Sequence, residues 1–260
     1  MNRSLMDVFS VMTKDQGRVM YDYVLGLYDF LDRMVNRYPD LLIEGCSGGG
    51  GRFDAGMLHY TSQIWCSDDT DTIERLKIQY GTSFAYPVSA VGSHVSACPN
   101  HQTGRFVPFE TRAAVAMAGT FGYELDPAKL SEEEKTQIRG QIEEFKKYYD
   151  VIHFGDYYRL TNAMEEGPYA AWEFVSEDGN EALVSVVASR VRANDPGVRI
   201  RLRGLKENQM YLVNGVEYPG GALMHGGILL PWRFCHPSGD FPEWFLRRVH
   251  SSEEQRKPDF

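Results

Sequence analysis

Apolar and polar positions alternate in two different rhythms along this chain. From residue 17 to 37, Val24, Tyr28, Leu31 and Val35 recur at helical spacing, and Leu27 and Met34 widen the stripe, which predicts an amphipathic helix. Pro39 stops it. Two short apolar runs follow, Leu41–Cys46 and Ile64–Asp68, each closed by Gly or Asp, and both read as buried strands. Asp71, with Glu74 three residues on, caps a helix that runs to about Tyr80, and Gly81 suits its end. Residues 82–86 read as a third strand closed by Pro87, residues 88–105 as a long loop, residues 109–118 as a helix and residues 120–125 as a fourth strand. Ser131 and Glu134 form a capping box ahead of a helical stripe of Ile138, Ile142, Phe145, Tyr149 and Ile152. Helices alternating with short strands predict a parallel sheet or barrel with helices outside.

Past Asp150 the helical stripes stop. Residues 171–175 and 182–191 are strand-like and flank Glu177-Asp178-Gly179-Asn180, a hairpin signal. Val198, Ile200 and Leu202 alternate with Arg199 and Arg201, which turns the apolar three inward. Asn214-Gly215 between two short apolar runs predicts a second hairpin with a tight turn. The expectation is two units: residues 1–153 in the α/β part and residues 154–260 in an antiparallel β domain with a charged, frayed tail from Ser251.

A net charge of −9 argues against nucleic acid, whose phosphates need a basic face. Hydrophobic residues make up 43%, enough for a sizeable core. No run approaches a membrane span, so no membrane partner is expected. The four cysteines, Cys46, Cys66, Cys98 and Cys235, have no CxxC spacing. That disfavours a metal site and fits a reducing, cytoplasmic setting.

Chemistry in a parallel barrel collects where the strands end. Strand alternation turns Leu42, Glu44 and Cys46 one way, and Ile64, Cys66 and Asp68 one way, so Cys46 and Asp68 meet at the mouth. Asp68 is the candidate catalytic carboxyl. Asp71 fits a helix cap better. Cys46 precedes the run Gly48–Gly51, whose backbone can approach a ligand closely; the run lacks the Lys-Ser/Thr of a phosphate loop. Glu44 reads as a supporting carboxylate, Arg52 and Asp54 as partners of each other or of neighbours, and Trp65 as core packed against helices. His94, Asn100 and His101 fall in the long loop and outside the site.

CSGGGGR, WCSDDTD, IERLKIQYGTS and PNHQTGR, in that order, resemble the catalytic domain of family 36 glycoside hydrolases, the retaining α-galactosidases. The likeness runs from Met1 to about Leu160. It implies that the chain is the C-terminal half of a (β/α)8 TIM-type barrel followed by an antiparallel sheet or sandwich domain. It implies Asp68 as general acid/base, and Asn2, Cys46, Ser47, Gly48 and Gly49 as substrate-binding residues near the sugar 2-position. No cofactor or metal is implied. The substrates would be α-galactoside oligosaccharides such as melibiose and raffinose. MNR at the start resembles the end of the family's KWDMNR motif, whose Asp is the nucleophile and would stand immediately before Met1. The first half of the barrel would then lie outside this sequence and be needed as a partner, with a homo-oligomer also compatible. A non-catalytic sugar-binding fragment, an α-N-acetylgalactosaminidase and a galactosyl transferase stay open.

Overall fold

The structure, a computed structural model, describes residues 10–165, 167–189, 198–230 and 243–251. The first half contains α1 (Val19–Arg37), β1 (Glu44–Gly45), a single turn α2 (Ser47–Gly50), α3 (Ala55–Leu58), β2 (Gln63–Trp65), α4 (Thr72–Thr82), β3 (Val91–Gly92), β4 (His94–Ser96), α5 (Phe109–Ala116), β5 (Gly122–Glu124), α6 (Glu132–Lys147) and α7 (Tyr149–Phe154). The strands pair in parallel. Gly45 lies opposite Ile64, Ile64 opposite Val91, and His94 opposite Gly122. Since β3 and β4 are separated only by Ser93, they form one interrupted strand. The array is therefore four parallel strands with helices on one face, the arrangement of half a (β/α)8 barrel.

Side-chain caps fix the starts of α4 and α6. The Asp71 carboxylate caps α4 by accepting from the backbone N–H of Ile73 (2.9 Å) and Glu74 (3.2 Å). In α6, Ser131 Oγ accepts from Glu134 N–H while the Glu134 carboxylate accepts from Ser131 N–H, a complete capping box. On the helix side, Leu31, Met57 and Ile64 form one buried cluster, and Val95, Phe109, Ala113 and Ala116 another.

The third strand is not where the sequence pattern put it. Residues 83–86 fold back onto the end of α4, with N–H bonds to Gln79, Gly81 and Thr82 carbonyls. The strand lies instead in residues 91–96, inside the stretch read as a long loop. Those residues pair with strands from distant parts of the chain, and Gly92, Ser93, His94 and Ser96 dilute the apolar signal.

The second half comprises β6 (Asp156–Arg159), β7 (Tyr169–Val175), β8 (Glu181–Ala188), β9 (Arg199–Ile200), β10 (Met210–Val213), β11 (Val216–Pro219), β12 (Ile228–Leu229) and β13 (Glu243–Ser251). Six of them form one antiparallel sheet in the order β11-β10-β13-β8-β7-β6. Both predicted hairpins are present. Asn214 (φ 53°) and Gly215 (φ 79°) make the tight turn between β10 and β11, where two successive positive φ values favour this residue pair. Strand β13, which the sequence pattern did not reveal, threads between β8 and β10, with Val249 facing Ala182 on one side and Val213 on the other.

One face of the sheet carries Ala170, Trp172, Phe174, Leu183 and Val187 against Leu76, Val115, Tyr148, Val151 and Ile152 of the barrel layer. The other face carries Ala171, Val175, Val184 and Val186 against Ile200, Leu202, Leu205 and Leu223. Being covered on both sides explains why β7 and β8 are buried at nearly every position rather than alternately.

Candidate active site

The site lies at the C-terminal ends of the parallel strands. Strand β2 ends at Trp65, so alternation no longer governs where Asp68 points. Within β2 the faces are the reverse of the expected ones. Ile64 packs on the helices with Leu31 and Met57. Glu44 and Gln63 share the opposite, inner face, joined by a 2.9 Å bond from Gln63 Nε2 to Glu44. Trp65 is on that face too, with its ring stacked on His94 at 4.7 Å. Trp65 thus lines the inside of the half-barrel, and is not the helix-packing residue that alternation suggested. Glu44 is exposed in this chain rather than a buried paired carboxylate.

Residues 67–71 are held from several directions. From below, Arg75 of α4, 3% exposed, donates to Gly92 O (2.9 Å) and Ser67 O (3.2 Å) and lies 4.3 Å over the Trp65 ring. Burial lowers the Arg75 pKa, and burial of the adjacent Cys66 thiol raises the thiol's own pKa against the opposing pull of the Arg75 charge. From above, the 96–105 segment closes on the loop. Ser96 Oγ donates to Thr70 O at 2.9 Å, and Asn100 Nδ2 donates to Thr70 Oγ1 at 3.1 Å. Gln102 accepts from Thr70 N–H at 3.0 Å and donates to Asp68 O at 3.1 Å. Thr103 and Arg105 both bind the Asp71 carboxylate.

The three aspartates of the loop are therefore used differently. Asp71 is fully buried, and all its acceptor capacity goes to the helix cap, a hydroxyl and a guanidinium. The Asp69 carboxylate accepts from Asp71 N–H. Asp68 is exposed, its backbone carbonyl held by Gln102, and its carboxyl makes no hydrogen bond or ion pair among the described residues. Of the three, it is the one left open to a ligand.

The glycine run closes against Asp68. Ser47, Gly48, Gly49 and Gly50 all have positive φ, from 59° to 88°, and wind one left-handed turn closed by Gly50 N–H on Cys46 O. A Cβ on Gly49 would sit 2.5 Å from the Asp68 amide nitrogen, and one on Gly50 2.8 Å from Cys66 O. Only glycine permits both the handedness and the contact. Ser47 shares the left-handed conformation, and its buried hydroxyl has no hydrogen-bond partner among the described residues. Cys46 is half-buried at the start of the turn. The structure thus brings Cys46, Ser47, Gly48 and Gly49 together with Asp68. Asn2 and Cys235 lie outside the described residues. Arg52 and Asp54 do not pair with each other; they reach Tyr23 (2.7 Å) and Tyr28 (3.1 Å) of α1.

Sequence reasoning left Gln102, Asn100, Arg75 and His94 out of the site. The signal for the first two was PNHQTGR, one of the stretches that carried the resemblance but to which no role was attached. His94 is held below the ordinary histidine range by burial against Trp65.

A carboxyl held open at the C-terminal ends of parallel half-barrel strands, beside a glycine wall, stands where the active sites of (β/α)8 barrel enzymes collect. Comparison with known proteins makes this specific. The Melibiase family model matches residues 1–155, and the glycosyl hydrolase family 36 C-terminal domain model matches residues 169–246. The chain belongs to glycoside hydrolase family 36. It is 60% identical over 233 residues to the bifunctional alpha-galactosidase/sucrose kinase AgaSK of Mediterraneibacter gnavus, covering 89% of this chain and 24% of that protein. It is 47% identical over 254 residues to the alpha-galactosidase AgaA of Geobacillus stearothermophilus, covering 96% of this chain and 34% of that one. The crystal structure of AgaB from the same organism matches with a TM-score of 0.90 at 47% identity, over 96% of this chain and 34% of that chain. A variant of AgaA solved with raffinose matches at 0.89 and 45%, over 95% and 34%. The chain thus spans about a quarter to a third of the length of these relatives, and its fold is the C-terminal half of their barrel followed by the antiparallel β domain.

Proposed function

We propose that this chain supplies the acid/base side of an α-galactosidase site. Asp68 protonates the leaving glycosidic oxygen and then activates water to release galactose, as in a retaining mechanism with two carboxyls about 5–5.5 Å apart. Cys46, Ser47, Gly48 and Gly49 form the wall against the sugar, with Asn2 as a further contact. The observation that carries this reading is the division of labour in the loop: Asp71 is consumed by structure, while Asp68 stands exposed with its backbone pinned. Terminal α-galactosides of the raffinose type are the proposed substrates, supported by the raffinose complex of AgaA. Residues 1–153 are assigned to the barrel and 154–260 to the C-terminal domain, supported by a first family-model match that ends at residue 155 and a second that begins at residue 169. Unpaired Cys46, Cys66 and Cys98 support a reducing, cytoplasmic setting.

The test is Asp68→Ala in this chain joined to the N-terminal part of a full-length relative. Turnover of raffinose should fall by roughly 10²–10⁴-fold, as expected for a lost general acid/base. For p-nitrophenyl α-galactoside, whose leaving group needs little protonation, kcat/KM should fall much less. Equal losses on both substrates would remove the acid role.

A further inference from the structure

We infer that Gln102 is a positioning residue for the Asp68 carboxyl, acting through the backbone on its C-terminal side. The inference rests on the acid/base reading of Asp68. The Gln102 side-chain amide spans the loop, with its oxygen accepting from Thr70 N–H at 3.0 Å and its nitrogen donating to Asp68 O at 3.1 Å. Both polar ends of one planar group are thereby used on the two residues that flank Asp69. This sets the distance between those backbone groups and with it the direction of the Asp68 Cα–Cβ bond.

The bridge is itself braced. Asn100 Oδ1 accepts from the N–H of Gln102 (2.9 Å) and of Thr103 (3.0 Å), which fixes the turn that presents the glutamine. On the opposite side the Ser67 carbonyl is held by the buried Arg75 guanidinium, and the Asp68 amide abuts Gly49. The Asp68 carboxyl makes no hydrogen bond or ion pair of its own among the described residues. Its aim therefore depends on its backbone, and of the polar side chains that hold the loop, Gln102 is the one on the Asp68 carbonyl. A proton donor displaced by about 1 Å can lose on the order of 10²-fold in rate.

The test combines kinetics in the chain joined to the N-terminal part of a relative with amide exchange in the 260-residue chain. Gln102→Ala should lower kcat/KM for raffinose by roughly 10–100-fold and for p-nitrophenyl α-galactoside by much less, the same leaving-group signature as Asp68→Ala. In an Asp68→Ala background, Gln102→Ala should change kcat/KM by less than about 2-fold, because its route to the reaction is gone. In the chain alone, Gln102→Ala should raise exchange at the Thr70 amide and leave Ile73 and Glu74, capped by Asp71, protected. Gln102→Glu can still accept from Thr70 but cannot donate to Asp68 O, so it should keep Thr70 protected without restoring catalysis. A full-sized loss in the Asp68→Ala background, equal losses on both substrates, or unchanged Thr70 exchange would each overturn the proposal. Absence of the leaving-group signature in Asp68→Ala itself would instead overturn the acid role on which it rests.

Discussion

At the scale of single residues, two positions that look alike in the sequence have opposite assignments. Asp68 and Asp71 are three residues apart in one acidic run, yet only Asp71 is buried and bonded on all sides. Asp71→Ala removes a cap worth roughly 0.5–2 kcal/mol, and also the partner of Arg105. Because Arg105 is 36% exposed and can be solvated, the total should stay near 2–4 kcal/mol, below that of a fully buried broken pair. Chemical denaturation should show this loss, and Asp68→Ala should show almost none. If Asp71→Ala leaves stability intact, the cap assignment is wrong. Gly49→Ala should be severe for a different reason, since its Cβ would meet the Asp68 backbone at 2.5 Å in a left-handed conformation. The substitution should reduce activity at least as much as stability, because the clash falls on the proposed acid; wild-type kinetics in Gly49→Ala would show that the wall does not press on Asp68.

At the scale of elements, β7 carries one residue that disagrees with its surroundings. Glu173 is fully buried in the sheet face that packs on Leu202 and Leu205, between Tyr158 on β6 and Val184 on β8. One carboxyl oxygen accepts from Arg203 N–H at 2.9 Å, and the other has no partner among the described residues. Burial pushes its pKa from 4.5 up to about 8, against the smaller opposing effects of the Arg203 N–H and guanidinium. The folded state therefore keeps a proton that the unfolded chain releases above 4.5. The stability associated with Glu173 is complete below pH 4.5 and declines between 4.5 and about 8, by roughly 1.4 kcal/mol per pH unit, as the unfolded state is relieved of the proton and the folded state is not. Glu173→Gln, neutral at every pH and still able to accept from Arg203 N–H, should lose that slope. Denaturation midpoints of the two proteins measured from pH 5 to 8 should diverge steadily; parallel curves would mean that Glu173 is ionised in the folded protein.

At the scale of the whole molecule, the four parallel strands do not close. Among the described residues β1 pairs only with β2, and β5 only with β4. Unpaired strand edges seek partners. Helix α1 also leaves Tyr21, Leu25 and Phe30 exposed, apolar surface that favours association. A retaining site needs a second carboxyl across the sugar. Asp69 and Asp71 share the loop of Asp68, and Glu44 on β1 is tied to Gln63 on β2. The expected outcome is that the 260-residue chain alone does not hydrolyse p-nitrophenyl α-galactoside, and that activity is recovered when the N-terminal part of a relative is supplied in trans or by fusion. Sedimentation should show the chain alone as self-associated, and the completed protein as discrete. Robust turnover by a monodisperse chain alone would require a nucleophile among residues given no such role here.

The sequence by itself determined what depends on neighbours a few residues apart. The caps at Asp71 and Ser131, the amphipathic α1 and α6, the Asn214-Gly215 turn and the inward alternation of Val198, Ile200 and Leu202 all follow from local hydrogen bonding and periodicity. The order of motifs around Cys46, Asp68 and the glycine run was also enough to point to the family. Tertiary structure alone decided the rest. Strand β13 and the interrupted strand β3–β4 exist because distant segments pair with them, and neither carries a clean apolar period. The inner face of β2 was misread because three residues are too few for alternation to reveal which side meets the helices. Gln102, Asn100 and Arg105 reach the acidic loop across about thirty residues of chain, a distance that no local pattern spans. The packing of the 96–105 segment against residues 67–71 adds what no local pattern carries: Thr103 and Arg105 take up the Asp71 carboxylate, while Gln102 holds the Asp68 backbone and leaves its carboxyl open.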